Sequence, residues 1–175
     1  MSSSRDGLDN SRLLDFLSVL DDDLRQKVTL IAVGGTGMTL INAKASTLDV
    51  DFTIPDEHYA EFERAYNLNK PGFRVDLFQG GTVFTTNLPD DYLEKTIEIK
   101  TDFKNIDLRA LNPSDIVMTK ISRMNARDIE DIEACIKKFS LTKEMLESRA
   151  KQIVHPANEE QWQESLKRVI SEFCS

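Results

Sequence analysis

The sequence predicts an α+β fold in which a mixed β-sheet is flanked by helices and followed by a helical C-terminal region. Before residue 110, apolar residues alternate with polar ones along several short segments, which is typical of strands. From Asn112 onward the apolar residues recur at helical spacing. We therefore expect a flexible N-terminus at 1–10, an α/β core at 11–110, and a helical region at 111–175 that packs on the core.

The core is predicted to alternate between helices and strands. Leucines at helical spacing predict a first helix that is capped by Asn10 or Ser11 and ends near residues 23–25. An apolar, β-branched run at 28–33 predicts a strand, which a Gly-Gly turn ends. The other predicted core elements are a helix at 36–44, a strand at 48–54, a helix opened by Pro55, a strand at 73–78, and weaker strands at 82–85 and 96–100.

The C-terminal region begins with a clear helix start. Asn112 is placed to cap a helix whose first position is Pro113. A stripe of Ile129, Ile132, Ile136 and Phe139 predicts a second helix. Two further amphipathic helices are predicted at 141–154 and 158–173, separated by His155 and Pro156.

Composition excludes several classes of function. The 175 residues carry a formal net charge of -8, so clustered Lys and Arg for non-specific nucleic-acid binding are not present. Cys135 and Cys174 lie far apart and no His/Cys cluster exists, which argues against a zinc site and favours a reducing, cytoplasmic setting. The longest apolar stretch is well below the roughly 20 residues that a membrane span needs, so no membrane association is expected.

The glycine cluster at Gly34, Gly35 and Gly37 does not fit the common glycine-rich nucleotide motifs. A dinucleotide fingerprint starting at Gly35 would place Leu40 where a small residue is needed. A phosphate loop would require a lysine after its last glycine, whereas Met38 follows Gly37. What remains is an apolar strand, a Gly-Gly turn, a short helix and an acidic strand.

The acidic strand carries Asp49 and Asp51 at alternate positions. On a strand such residues share one face about 7 Å apart, while Val50 and Phe52 take the opposite, buried face. Two converging carboxylates repel each other unless a cation compensates, and hard oxygen ligands favour Mg²⁺ or Mn²⁺. Asp76, on a second alternating strand, could complete the cluster. The alternatives are a solvent-facing strand and, for the glycines, an ordinary strand-to-helix turn.

These motifs resemble those of a known superfamily. "VGG", thirteen residues and then "DVDF" is similar to the signature of the DNA polymerase beta-like nucleotidyltransferases, and "VDL" at 75–77 resembles their third-acid strand. The segment "LNPSDIVMTKISRMNARDIEDIEACI" at 111–136 is similar to the helical pair of small nucleotidyltransferases of the AbiEii toxin-like group. The resemblance covers roughly residues 11–139 and implies a polymerase beta-like mixed sheet flanked by helices.

The resemblance implies a role for each matching residue. Asp49 and Asp51 would bind two divalent ions, and Asp76 would be a further metal ligand and a general base for the acceptor hydroxyl. The positions implied in nucleotide binding are Gly34, Gly35, Thr36, Lys44, Thr47, Lys120 and Arg123, with Arg127 a weaker candidate. Residue by residue, the alternative for Lys120, Arg123, Arg127 and residues 128–131 is a set of ordinary helix-surface charges.

One departure from the family pattern bears on activity. Many relatives carry an arginine four residues before the first acid, where this chain has Ala45, with Lys44 beside it. Three hypotheses therefore stand: an active nucleotidyltransferase, a nucleotide-binding module without turnover, and an interaction protein that uses its C-terminal helices. The first implies a nucleoside triphosphate with Mg²⁺ or Mn²⁺, an RNA, tRNA, small-molecule or protein acceptor, and, by analogy with the toxin-like group, an antitoxin-like partner.

Overall fold

A computed structural model describes residues 7–153 and 158–174 of the chain. Residues 1–6 of the predicted flexible N-terminus, and the predicted break at His155 and Pro156, lie outside the described residues. Within that terminus, Leu8 is buried and forms an isolated antiparallel bridge with Thr47. The described chain is therefore already tied to the core before Asn10.

The main sheet has five strands and both strand orientations, which confirms the predicted mixed sheet. Its strands are β1 (Val28–Ala32), β2 (Val50–Ile54), β3 (Val75–Gln79), β6 (Ile97–Glu98) and β7 (Ile106–Ala110). Their order in the sheet is β3-β2-β1-β7-β6, with β1 antiparallel to β2 and parallel to β7. Strands β4 (Thr82–Val83) and β5 (Thr86–Asn87) form a separate hairpin.

Seven helices are described, and they confirm the predicted order of helices. They are α1 (Asn10–Asp23), α2 (Gly34–Leu40), α3 (Asp56–Leu68), α4 (Pro113–Ile121), α5 (Ala126–Phe139), α6 (Lys143–Ala150) and α7 (Glu159–Phe173). Among the described residues, none of these helices combines the length and apolar character needed to cross a membrane.

The predicted caps are confirmed in part. The Asn112 side chain accepts a hydrogen bond from the backbone of Ser114 and caps α4, as predicted. Helix α1 is capped by Asp9 and not by Asn10 or Ser11, because the Asp9 carboxylate accepts the backbone N–H of Arg12 at 3.0 Å.

His58 has a structural role beside the proline that opens α3. In the antiparallel register of β1 and β2, Pro55 stands where a partner for Thr29 would lie. The Nδ1 atom of His58 accepts the Thr29 backbone N–H at 3.1 Å. The imidazole thus satisfies a donor at the end of the ladder.

Strand β7 was missed in the sequence, although it pairs with β1 along its full length. Ile106, Leu108 and Ala110 are buried, whereas Asp107 and Arg109 are partly exposed and form an ion pair at 2.9 Å. The strict alternation of apolar and charged residues was the available signal. Its consequence for the fold is large, because β7 links β1 to the edge strand β6.

The two faces of the sheet pack against different helices. One face packs its alternate residues, including Leu30, Val50 and Phe52, against α1 and α3. The other face, with Ile31 and Val33, shares a single core with α4, α5, α6 and α7. The C-terminal helices therefore complete the hydrophobic core on the side of the sheet towards which Asp51 points.

Candidate active site

Two threonine hydroxyls fix the backbone at the start of β2. The hydroxyl of Thr36 donates to the carbonyl of Asp49 at 3.2 Å and accepts the backbone N–H of Asp51 at 2.9 Å. The hydroxyl of Thr47 donates to the same carbonyl at 2.7 Å. Thr36 is fully buried, so the structure places it behind the site as a support and not on the surface that a nucleotide would contact.

Gly34 and Gly35 form the first turn of α2, so the predicted turn belongs to a helix that begins two residues earlier than expected, and it lies directly against this strand. Gly34 has a φ of +54°, which favours glycine, and a Cβ there would lie 3.2 Å from a carboxylate oxygen of Asp51. A Cβ at Gly35 would lie 2.7 Å from the Thr47 hydroxyl and 3.8 Å from Nζ of Lys44. Close approach of the turn to β2 thus requires glycine at both positions.

The structure brings the three predicted acids to one cavity. Strands β2 and β3 are parallel, and their register pairs Asp51 with Asp76. Asp49 directly precedes β2, and all three side chains line a cavity of about 350 Å³ together with Phe78 and Phe84. Asp51 is 7% exposed, whereas Asp49 is exposed and Asp76 is partly exposed. The three acids therefore differ in their access to solvent.

Asp51 is electrostatically unfavourable as a carboxylate. Burial, which removes the carboxylate from water, raises the pKa of Asp51 to about 7, and the charges of Asp76 and Asp49 add to the shift. The charge of Arg123 opposes it, and a side-chain hydrogen bond with Asp76 favours the protonated form. A cation bound at these carboxylates would offset their mutual repulsion and favour the ionised form of Asp51.

A second cavity adjoins the first and is rich in cations. It has a volume of about 160 Å³ and shares Asp49, Asp51 and Arg123 with the first. Its lining also includes the predicted nucleotide-binding residues Gly35, Lys44, Thr47, Lys120 and Arg127. The two cavities together form one cleft between the sheet and the helical pair α4–α5.

Three cations of the second cavity are held by two acids of α5. Lys120 lies 3.0 Å from Asp131 and 3.5 Å from Asp128. Asp131 also binds Lys44 at 3.2 Å, and Asp128 also binds Arg123 at 2.9 Å. The guanidinium of Arg123 stacks on Phe84, 3.7 Å from the ring centroid.

The interpretation of Lys120, Asp128 and Asp131 as helix-surface charges is wrong, since all three are buried. The available signal was position: Asp128 and Asp131 continue the buried stripe of Ile132 and Cys135 along α5. Acids on a buried face indicate buried partners.

Phe84 was also missed in the sequence. Its backbone has a φ of +54°, uncommon for an aromatic residue, and its ring contacts both Arg123 and Phe78. Nothing local in the sequence indicates this contact, because it joins the β4–β5 hairpin to the loop that follows α4.

Comparison with known families assigns the chain. Residues 11–174 match the family described as nucleotidyltransferase of unknown function, DUF6036. The chain belongs to this nucleotidyltransferase family. No curated protein and no solved structure matches the chain. The match extends from the first helix to the last, so it includes the C-terminal helices as well as the sheet.

The acids of this DUF6036 protein suit a hard divalent cation by their chemistry. Carboxylate oxygens are the ligands that Mg²⁺ and Mn²⁺ prefer, and Asp51 and Asp76 adjoin across the sheet. Over residues 7–153 and 158–174, no group of three or more acidic, His or Cys side chains is arranged so that it could hold a metal ion, so Asp49, Asp51 and Asp76 do not form a ready-made metal site. Asp76 is instead paired with the exposed Arg74 at 3.2 Å, a surface contact that costs little to break.

Proposed function

We propose that this chain is a metal-dependent nucleotidyltransferase that moves a nucleotide from a nucleoside triphosphate to a hydroxyl group. The observation that supports this most is the pairing of Asp51 with Asp76 beside Asp49, in a cleft that also contains lysine and arginine side chains. Family membership supports the same reaction type. A cleft that carries carboxylates for a metal ion beside cations for phosphate suits a metal-bound triphosphate better than a metal ion or a phosphate alone.

The reaction requires one bond to form and one to break. The acceptor oxygen attacks the α-phosphorus, the bond from that phosphorus to the oxygen bridging to the β-phosphate breaks, and pyrophosphate leaves with the electron pair. A divalent ion bound by Asp49, Asp51 and Asp76 would supply charge neutralisation for the nucleophile and the leaving group. Asp76 is paired with Asp51 across the strands and is more accessible than this buried acid, and we assign it to accept the hydroxyl proton.

The protein contributes mainly position and charge. Thr36 and Thr47 hold the backbone that presents Asp49 and Asp51, so the backbone positions of these two residues are set before a ligand binds. Lys44 and Arg123 are partly exposed cations at the cleft and can contact phosphate oxygens. Lys44 extends to the Gly35 turn, so it can supply the charge that Ala45 lacks.

The test is pyrophosphate release from each of the four nucleoside triphosphates with Mg²⁺ or Mn²⁺, using total tRNA, small hydroxyl compounds and protein as acceptors. We expect turnover in the natural chain and none in an Asp49→Ala, Asp51→Ala double variant. Asp107→Asn is the matched control, because this partly exposed acid of β7 is paired with Arg109 and lies outside both cavities.

The outcomes separate the hypotheses. Transfer of a labelled nucleotide to tRNA that is abolished in the double variant would support an RNA-modifying enzyme. An antitoxin-like partner could then be sought by its inhibition of the reaction. Metal-dependent nucleotide binding without turnover on any acceptor would favour the binding module. No nucleotide binding would contradict both and leave an interaction protein.

A further inference from the structure

Five charged side chains form a continuous row of alternating sign along the second cavity, the one that contains Lys44 and Lys120. In order they are Lys44, Asp131, Lys120, Asp128 and Arg123, which we call the charge row. Successive members lie between 2.9 and 3.5 Å apart. Three separate segments of the chain contribute to it: the stretch before β2, the α4 segment with the loop that follows, and α5.

Exposure differs between the middle of the charge row and its ends. The side chains of Lys120 and Asp128 are 2% and 3% exposed, and that of Asp131 is 10% exposed. The side chains at the ends are more accessible, with 25% for Lys44 and 38% for Arg123. A ligand in the cleft would therefore meet the two end cations first.

The sum of the charges explains why a lysine lies in the middle. Three cations and two carboxylates leave the row with a net charge of +1. Without Lys120, the two carboxylates would cancel the two end cations, and the row would no longer attract an anion. Replacing Asp131 as well would restore the net charge.

The ends of the row lie at useful places in the cleft. Nζ of Lys44 is beside the Gly35 turn, and Arg123 lines both cavities next to Asp51. Arg123 is held on its other side by the Phe84 ring. Each end cation is thus positioned by an acid of α5 while its side chain lines the cleft.

We propose that Lys120 is a positioning residue that neutralises Asp128 and Asp131, and that Lys44 and Arg123, not Lys120, contact the phosphates of the nucleotide. This inference rests on the proposed function, since it describes how the same cleft binds a triphosphate. Lys120 then acts through the two acids that hold the end cations. It also assigns Asp131 a role, because this carboxylate carries both lysines.

The test is calorimetric binding of inorganic tripolyphosphate, with Mg²⁺ present, to four forms of the chain: natural, Lys120→Met, Asp131→Asn and the double variant. We expect Lys120→Met to bind about tenfold more weakly, because the row then has no net positive charge. The double variant should recover to within about threefold of the natural chain, since its row again has a net charge of +1. Asp131→Asn alone gives the reference for the double variant, since it loses the contact that positions Lys44 while the net charge of the row rises to +2.

Two controls address folding and surface charge. Thermal unfolding of each variant shows whether it is folded at the binding temperature. Lys137→Met removes an exposed lysine of the same helix α5, paired with Glu133 outside the cleft, and should leave binding unchanged. If Lys120→Met does not fold, acetylation of the natural chain read by mass spectrometry replaces it, and tripolyphosphate is then expected to protect Lys44.

Each result bears on a different statement. A double variant that stays as weak as Lys120→Met would overturn the positioning role and leave the proposed function standing. If tripolyphosphate binds to the natural chain but does not protect Lys44 from acetylation, the inference is overturned and the proposed function still stands. A natural chain that binds no tripolyphosphate would contradict both this inference and the proposed function. Recovery in the double variant supports the inference even where no acceptor has been found.

Discussion

Asp51 combines burial with two neighbouring acids, so its protonation is linked to the stability of the fold. Its pKa is about 7 in the folded chain and 3.8 as the reference for an unfolded chain. Between these values the folded protein holds a proton that the unfolded chain has released. Below about pH 4, Asp51 is protonated in both states and takes nothing from the stability of the fold. This part of the stability is lost as the pH rises through about 7.

We predict that Asp51→Asn stabilises the metal-free protein increasingly with pH. The gain in free energy of unfolding should grow by about 1–4 kcal/mol between about pH 5 and pH 8, because the variant has no carboxylate to ionise. Denaturant unfolding in the presence of a chelator measures it, with exposed Asp49→Asn as the control. A gain independent of pH would show that burial of the Asp51 charge is not the cause.

A second prediction concerns the close approach of the Gly-Gly turn to β2. A Cβ at Gly35 would lie 2.7 Å from the Thr47 hydroxyl, which holds the carbonyl of Asp49. Gly35→Ala should therefore cost about 1–3 kcal/mol of stability and weaken metal-dependent nucleotide binding. The matched control is Gly72→Ala, because nothing lies within 4 Å of a Cβ there. Equal effects of the two substitutions on binding would contradict a role for the turn.

The site illustrates what local sequence patterns can predict. Alternation along a strand placed Asp49 and Asp51 on one face, since that geometry depends on neighbours two residues apart. The ion pair of Lys44 and Asp131 joins residues 87 positions apart, and no local period predicts it. Sequence reasoning therefore brought Asp49, Asp51 and Asp76 together and missed the role of Asp128 and Asp131, which hold three cations of the cleft.

At the scale of elements, α4 and α6 are joined by a buried ion pair. The guanidinium of Arg149 binds both carboxylate oxygens of Asp115, at 2.6 and 2.8 Å, and also contacts Asp91 at 2.7 Å. Asp115 is completely buried, and Arg149 is 7% exposed. The pair thus ties the helix that carries Lys120 to the helix after α5.

We predict that Asp115→Ala destabilises the chain by about 3–5 kcal/mol, because it leaves a buried guanidinium with only the partly exposed Asp91 as its acid partner. Glu172→Ala, which removes an exposed partner of Arg168 on α7, should cost no more than about 0.5 kcal/mol. Denaturant unfolding at neutral pH compares the two. Similar losses would mean that the Asp115 pair contributes no more than a surface contact.

The elements themselves were predicted unevenly, for physical reasons. Helix α4 was predicted from its cap and α5 from its apolar stripe, because both are local signals. Strand β7 was missed because its charged residues are atypical of a strand with neighbours on both sides. Those charges are tolerated since Asp107 and Arg109 pair with each other along the strand.

At the scale of the whole molecule, one face of the sheet is used for packing, whereas the other face packs and also carries the cleft. The face covered by α1 and α3 packs apolar residues such as Phe52 and Phe62. The opposite face packs Ile31 and Val33 against the C-terminal helices and, beside this core, carries Asp51 and its cleft. The cleft is therefore built from both the sheet and the helices, and neither part could hold the site alone.

We predict that a chain ending at Ser140 loses cooperative folding and not only its last helices. Truncation would remove Leu146, Trp162 and Leu166 from the core they share with β1, and would leave Asp115 without Arg149. Because one hydrophobic core spans the sheet and the C-terminal helices, its loss should expose apolar surface throughout that face. Thermal unfolding and binding of an apolar dye would measure this against the full chain. A sharp transition with little dye binding would show that the α/β core folds independently, and the C-terminal helices would then be an addition to it.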